Sequence, residues 1–468
     1  MKVELPYGEG TLPAEIPDRA VVIPTAERAT LPPVEDLAAA VRQALAEPRG
    51  LSRIRELVRP GASVAVAFDD ATIESHGPVR RVAIEAVLEE LQAAGVSRGQ
   101  VTLICANALH RKLRPSELAV LLGDDLVREF GPRLICHDAE DRENLVDLGK
   151  SSPNGYNVEV HRLVAESDLT IYVNARYNRG FLGGWKSICV GLSTYNSIRW
   201  THTPDGMSMS VRDNRMHAVL NEMGAHLERR LGKRVFKLDT VLSNPLEVAQ
   251  VFAGSVDETR RRALETVERL FPARRQLARE RFDLLVYGVP DWSPYAVFSR
   301  VNPILTLIST GLGYAGGLIE ALGKSGCTVI MATPVPERWD RVAHASYPEV
   351  WERVLPESRD PYEIMHRFAD DYARRPEYIE AYRDRFAFHP VHAIMALYPL
   401  RRLSHLRQVV VAAPRDAAVP RHLGFETAAS VEEAVARAEA VHGPECTVAY
   451  ILQPPFAQLS HAIPRGRG

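Results

Sequence analysis

Three short, unbroken apolar runs, each ending in a cluster of polar residues, constrain this chain more than any other feature. Residues 63–68 read SVAVAF and run into Asp69-Asp70-Ala71-Thr72. Residues 101–106 read VTLICA and run into Asn107-Ala108-Leu109-His110-Arg111. Residues 169–175 read LTIYVNA and run into Arg176-Tyr177-Asn178-Arg179-Gly180-Phe181-Leu182-Gly183-Gly184-Trp185-Lys186-Ser187. A strand with one wet face alternates apolar and polar residues, whereas a continuous apolar run marks a strand buried on both faces. A helical pattern at about 77–94, closed by Gly95, follows the first run. Strand, polar loop, helix, strand predicts a parallel sheet with helices on both faces. Ligands of such sheets sit beyond the carboxyl ends of the strands. All three polar clusters fall there.

The same rhythm returns in DLLVYGVP (283–290), CTVIMATP (327–334), QVVVAAP (408–414) and TVAYILQ (447–453), with a helix over 431–443 that stops at Gly443. The opening PYGEG reads as strand–turn–strand, and Pro24, Pro32 and Pro33 lead into an amphipathic helix near 34–46. A charged helical segment, 256–281, interrupted by Pro272, serves as connector. At 468 residues the chain suits two domains, 1–270 and 271–468, the second with a helical insertion near 337–388. The fold class expected is α/β in two domains, each a mostly parallel sheet flanked by helices, with the active site in the interdomain cleft.

A net charge of -2 leaves no basic footprint for nucleic acid. No run of 18 or more apolar residues points to a membrane span, and the N-terminus lacks the apolar core of a signal peptide. Five scattered cysteines without CxxC spacing argue against a zinc knuckle or disulfide framework and fit a reducing compartment. A cytoplasmic location is expected.

Of the 57 basic residues, only seven are lysine. Arginine and lysine interchange on solvated surfaces, but only lysine loses its proton readily and becomes a nucleophile. Lys186, after Gly183-Gly184, therefore stands out against the plainer reading of a lysine retained by chance on a loop. GGWKS departs from the phosphate-loop spacing and by mechanism alone is a weak anion or nucleotide site, in which glycine amides approach phosphate. His202, sixteen residues beyond Lys186, reads singly as a structural histidine or a ligand. His110, at a strand end and followed by Arg111, suits acid–base work.

The segment Gly180–Ser187, with His202 sixteen residues after the lysine, resembles the cofactor-binding signature of the nickel-dependent lactate racemases. PYGEGTLPAEIP resembles that family's start, Asp70-Ala71-Thr72 its Asp-x-Thr-Arg motif, and His110-Arg111 its first catalytic histidine. Asn214…His217 and VFAGSVDETRRRA (251–263) are similar to its later segments. The resemblance covers residues 1–270 well and the rest more loosely. It implies a nickel-pincer nucleotide, a pyridinium-3,5-bisthiocarboxylic acid mononucleotide carrying Ni(II), tethered to Lys186, with His202 as the metal ligand. Soft sulfur plus imidazole in a planar field suits Ni(II). It also implies cofactor contacts from Asp70, Thr72, Gly183, Gly184 and Ser187, and racemisation of a 2-hydroxy acid by hydride transfer. Partners would be that small-molecule substrate and the cofactor-maturation enzymes.

The departures are as informative. The family's second histidine stands ten residues before the tethering lysine, where this chain has Arg176, and the motif's arginine is replaced by Ile73. Arginine cannot serve as a base near neutral pH. Arg176 either clamps a carboxylate bidentately or bonds neighbouring backbone. The family's Tyr-Gln-x-x-Lys arrangement gives way to YGVPDWSPYAVFSRVNP (287–303), which offers Tyr295 and Arg300, with Arg111, for substrate. His76, Tyr177 and Tyr195 are candidates for the second proton-handling group. The substrate expected is a 2-hydroxy acid other than lactate. A non-racemising hydride-transfer enzyme, or a non-catalytic nucleotide- or nickel-binding homologue, is the alternative.

Overall fold

The structure, a computed structural model, describes residues 1–24, 31–73, 75–176, 183–206, 215–270 and 281–452. The chain opens with an antiparallel hairpin, β1 (Lys2–Gly8) and β2 (Gly10–Glu15), and a short β3 (Val21–Pro24). β4 (Val64–Asp69), β5 (Val101–Ala106), β6 (Leu134–Cys136), β7 (Leu145–Lys150), β8 (Asn157–His161) and β9 (Leu169–Arg176) follow. Next come β10 (Val235–Asn244), β11 (Glu247–Ser255), β12 (Phe282–Pro290) and β13 (Gly323–Ala332). The last strands are β14 (Leu406–Ala412), β15 (Glu426–Ala428) and β16 (Val448–Leu452).

Two compact units divide the chain: one holds residues 30–270 with 379–389, the other 1–29, 271–378 and 390–468. In the first, the sheet order is β11-β10-β9-β4-β5-β6. All pairs are parallel except the β10–β11 hairpin. Every residue of β4 is buried, as an apolar run without alternation requires. The helix Val79–Ala93 covers the sheet with Val79, Ala83, Val87 and Leu91, one stripe at four-residue spacing. From β4 the chain winds outward through β5 and β6, then returns to β9 on β4's other side. The order therefore reverses at β4–β9, and at such a point the carboxyl ends splay and leave a crevice.

In the second unit β15-β14-β13-β12 run parallel. The free side of β12 takes β16 along Leu284–Val286 and β1 at Val289–Pro290, and β3 lies parallel to β16. The expected extent of the first domain, 1–270, is corrected here. Leu5, Ala14 and Ile16 pack in one core with Leu284, Val286, Ile330 and Val410, so the opening residues belong with the C-terminal strands. The helical stretch expected near 337–388 is present as Tyr347–Glu349, Pro361–Tyr372 and Pro376–Asp384, although residues 379–389 pack with the other unit. The connector helix is Val256–Leu270; Pro272 lies outside the described residues.

One expectation about composition also changes. The helical stretch Ile304–Leu322 is long and apolar enough to cross a bilayer, yet 67% of it is buried inside its unit, as a core helix is. Strand β10 has no counterpart in the sequence reading, because Lys237, Asp239 and Thr240, all buried, interrupt its apolar run.

Candidate active site

The carboxyl ends of β4, β5 and β9 bring the polar clusters together. Asp69 ends β4, and its buried carboxylate accepts from Tyr172 Oη (2.8 Å), Asn174 Nδ2 (2.5 Å) and the amide of Ala175 (2.7 Å). Burial raises its pKa against the opposing pull of Arg80 and these donors. The Arg80 guanidinium, itself buried, donates to the carbonyls of Asp69, Asp70, Ile73 and Ser75 and so fixes the loop after β4.

That loop aims Asp70. One oxygen accepts from the Thr72 amide (3.1 Å) and hydroxyl (2.6 Å), and the other lies 2.8 Å from His110 Nδ1. Burial alone would raise the carboxyl pKa; the nearby His110 and the Thr72 donors reverse this and hold it low. An ionised carboxylate only accepts, so Nδ1 carries the hydrogen of this bond and Nε2 is left as the other ring nitrogen. The half-buried His110 ring is thus oriented by Asp70.

Gly183 and Gly184 take left-handed φ values of 74° and 58°. A Cβ at Gly184 would stand 2.6 Å from Arg260 Cδ, so glycine is required twice over there. Trp185 anchors the next residue: its buried ring lies where a Cβ on Gly224 would fall, 2.0 Å from Trp185 Cδ2. Lys237, fully buried on β10, donates to Gly184 O (3.0 Å) and Ser187 Oγ (2.7 Å) and pins both ends of the Lys186 turn. Lys186 opens the helix Lys186–Cys189, where desolvation brings its pKa down to about 8 against the attraction of Asp69 and Asp70.

His202 follows the helix Tyr195–Ile198. Thr201 spends its hydroxyl hydrogen on Ile198 O (2.8 Å), so its oxygen accepts from His202 Nδ1–H (2.9 Å). The lone pair then lies on Nε2. Desolvation first, then the charges of Lys186 and His110, bring the His202 pKa down to about 3, so the ring is neutral. His202 thus lies within electrostatic range of both Lys186 and His110. Among the described residues, no group of three or more His, Cys, Asp or Glu is arranged to hold a metal ion.

Other expected residues stand elsewhere. Arg111 is buried, with its guanidinium paired twice to Glu117 at 2.9 Å, which ties it to the start of the helix Pro115–Leu122; this placement gives no support to a substrate contact. Thr72 serves Asp70, and Ser187 serves Lys237. Tyr295 and Arg300 belong to the C-terminal unit, where Tyr295 Oη accepts from Tyr314 Oη (3.1 Å) and Arg300 is exposed. Arg176 closes β9; its side chain and Tyr177 lie outside the described residues. Of the other candidates for a second proton-handling group, His76 is brought to a pKa of about 4 by burial and by Arg80, and Tyr195 is buried with the Arg199 guanidinium 5.2 Å from its ring centre. Sequence reasoning passed over Asp69, Arg80 and Lys237. Lysine scarcity was the one signal that singles out Lys237.

A doubly wound α/β unit with an Asp–His pair, a low-pKa amine and a neutral imidazole at its carboxyl edge is the class of protein that fold and site define. Residues 7–214 match the family model described as the lactate racemase N-terminal domain. Over that stretch, less than half of its length, the chain is similar to the lactate racemase family. It is 23% identical over 274 residues to lactate racemase of Lactiplantibacillus plantarum, covering 57% of this chain and 63% of that relative. The fold matches the lactate racemase apoprotein of Thermoanaerobacterium thermosaccharolyticum with a TM-score of 0.69 at 19% identity, over 96% of this chain and 98% of that one. A crystal structure of a Thermotoga maritima protein matches at 0.51 and 14% identity, over 91% and 97% of the two chains.

Proposed function

We propose that the chain is a racemase or epimerase of a 2-hydroxy acid other than lactate, working with a nickel-pincer nucleotide tethered to Lys186. The observation that carries this reading is the Asp70–His110 pair at 2.8 Å, with the Lys186 amine in the field of Asp70 and the neutral His202 in the field of His110 and Lys186. An amine with a pKa of about 8 has a sizeable neutral fraction for attack on a thioacid carbonyl. His202 offers a single Nε2 donor, so the remaining metal ligands would come from a sulfur-bearing group rather than from protein. When bound, the nucleotide would supply a hydride acceptor for a hydrogen that is too weak an acid to leave as a proton. His110 would take the substrate hydroxyl proton on Nε2, and Asp70 would stabilise the imidazolium that results. The site is taken to lie in a cytoplasmic enzyme that depends on maturation enzymes for its cofactor.

Ile73 supports a substrate other than lactate. The position that holds arginine in the family is built here into an apolar cluster with Val79, Ala175, Leu242 and Val248. Arg176, in place of the second histidine, would clamp the substrate carboxylate. The test is protein matured with the full cofactor pathway. Wild type should show a covalent adduct by intact mass, bind nickel and abolish the optical rotation of a suitable 2-hydroxy acid. Lys186→Arg should lose the adduct and the nickel together; retention of nickel and activity by this variant would overturn the tether. An adduct without turnover on any hydroxy acid would favour the non-catalytic reading.

A further inference from the structure

The turn that presents His110 is strained. Ala108 has φ +51°, a left-handed value that a Cβ disfavours, and His110 N closes the turn on Asn107 O at 2.7 Å. Such a conformation persists only where the surroundings over-determine it. Those surroundings come from far along the chain. Tyr382 Oη accepts from Ala139 N (2.9 Å) and donates to Ala108 O (3.2 Å). His389 N donates to Leu109 O (3.0 Å), and its ring meets Glu140 at 3.1 Å. Phe388 packs against the His110 ring, centroids 5.8 Å apart and planes at 62°. Arg383 O accepts from Lys112 Nζ at 2.8 Å. Tyr382 and Phe388 are both buried.

These contacts do what Asp70 alone cannot. One hydrogen bond fixes a point on the imidazole but leaves the ring free to pivot about the Nδ1···Oδ2 line. A second contact, at the ring edge, removes that freedom and fixes where Nε2 points. We propose that residues 379–389 form a positioning strap for the acid–base histidine, with Phe388 setting the plane of the His110 ring and Tyr382 holding the strained turn beneath it. The proposal rests on the reading of His110 as the group that moves the substrate proton. A displacement on the order of 1 Å in a reacting group is enough to cost up to about a hundredfold in rate, so the strap governs turnover without touching substrate.

The test uses Phe388→Leu and Tyr382→Phe, with Phe388→Tyr as the conservative rescue and Arg385→Ala, an exposed strap residue, as control. Long-range nitrogen–proton spectra of histidine-labelled protein, with His110 assigned by His110→Gln, report the ring's tautomer directly. Wild type, Phe388→Tyr and Arg385→Ala should show a single form protonated on Nδ1. Phe388→Leu should keep the Nδ1 proton, which Asp70 holds, but show broadened His110 ring C–H signals as the ring pivots out of its fixed plane. In the loaded enzyme, Phe388→Leu and Tyr382→Phe should lower kcat about tenfold or more with KM within about twofold. Melting temperatures that fall while the His110 ring C–H line widths and kcat stay at wild-type values would mark a merely structural segment and overturn the proposal. If wild type turns over no hydroxy acid, the proposed function fails, while the His110 ring C–H line widths still decide the strap.

Discussion

The amine of Lys186 is half-buried at the start of its helix, and withdrawal from water brings its pKa from 10.5 to about 8. A folded pKa below the unfolded one means that the ammonium form opposes folding. That cost is present in full below about pH 8 and fades as the pH climbs to 10.5, where both states shed the proton. Lys186→Met should therefore raise the melting temperature at pH 7, by a gain worth about 1–3 kcal/mol, and leave it unchanged near pH 10.5. Acetylation mapped by mass spectrometry should label Lys186 half-maximally near pH 8, well below an ordinary lysine at about 10.4. A Lys186 that titrates with the surface lysines would contradict the burial. Lys186 stood out in the sequence because a rare residue type followed two glycines at a strand end. Lys237 is as rare and more buried, but it sits mid-strand among β-forming residues, where nothing local marks it. For Arg111 the sequence also carried a plainer cue than its place beside His110. Glu117, six residues on and just inside a helix opened by Pro115, is a ready partner.

Strands buried on both faces were the most legible elements. The run at 101–106 coincides with β5, and β4, β9, β12 and β14 lie within two residues of their expected limits. Their signal is composition over a short window, which no tertiary partner can disguise. The Lys186 segment shows the opposite dependence. Its shape comes from the fit of Trp185 against the helix Arg215–Leu231, at a position where only glycine leaves room. Gly224→Ala should push the Trp185 ring out of its seat, destabilise by about 1–3 kcal/mol and shift tryptophan emission to the red. Alanine is otherwise the better helix former, by about 1 kcal/mol, so the sign of the measured change separates packing from propensity. A stabilised Gly224→Ala protein would mean that the ring does not lie where the structure has it.

At the scale of the whole molecule, the division into two α/β units could be read from the repeated rhythm of runs, but the assignment of residues 1–29 could not. A hairpin carries no label for the sheet it joins, and pairing across more than 250 residues leaves no trace in local periodicity. The same holds for residues 379–389, which pack with the unit formed by 30–270. A fragment cut at residue 270 should consequently fold poorly. It leaves β1 without β12 and β3 without β16, and it lacks the residues that cover the His110 turn. Calorimetry of residues 1–270 alone should show a transition well below that of the intact chain, while co-expression with 271–468 should return a complex that melts as the intact chain does. A short fragment that melts at the temperature of the intact chain would refute this architecture.

The pairing of β3 with β16 also has a consequence in time. On a ribosome that adds about 5–20 residues per second, the strand Val21–Pro24 emerges tens of seconds before its partner Val448–Leu452 has been made. Until then it is an unpaired edge carrying exposed valines, the kind of surface that recruits neighbouring nascent chains. Synthesis rate and chaperone supply, rather than equilibrium stability, should set how much of this protein reaches its native state.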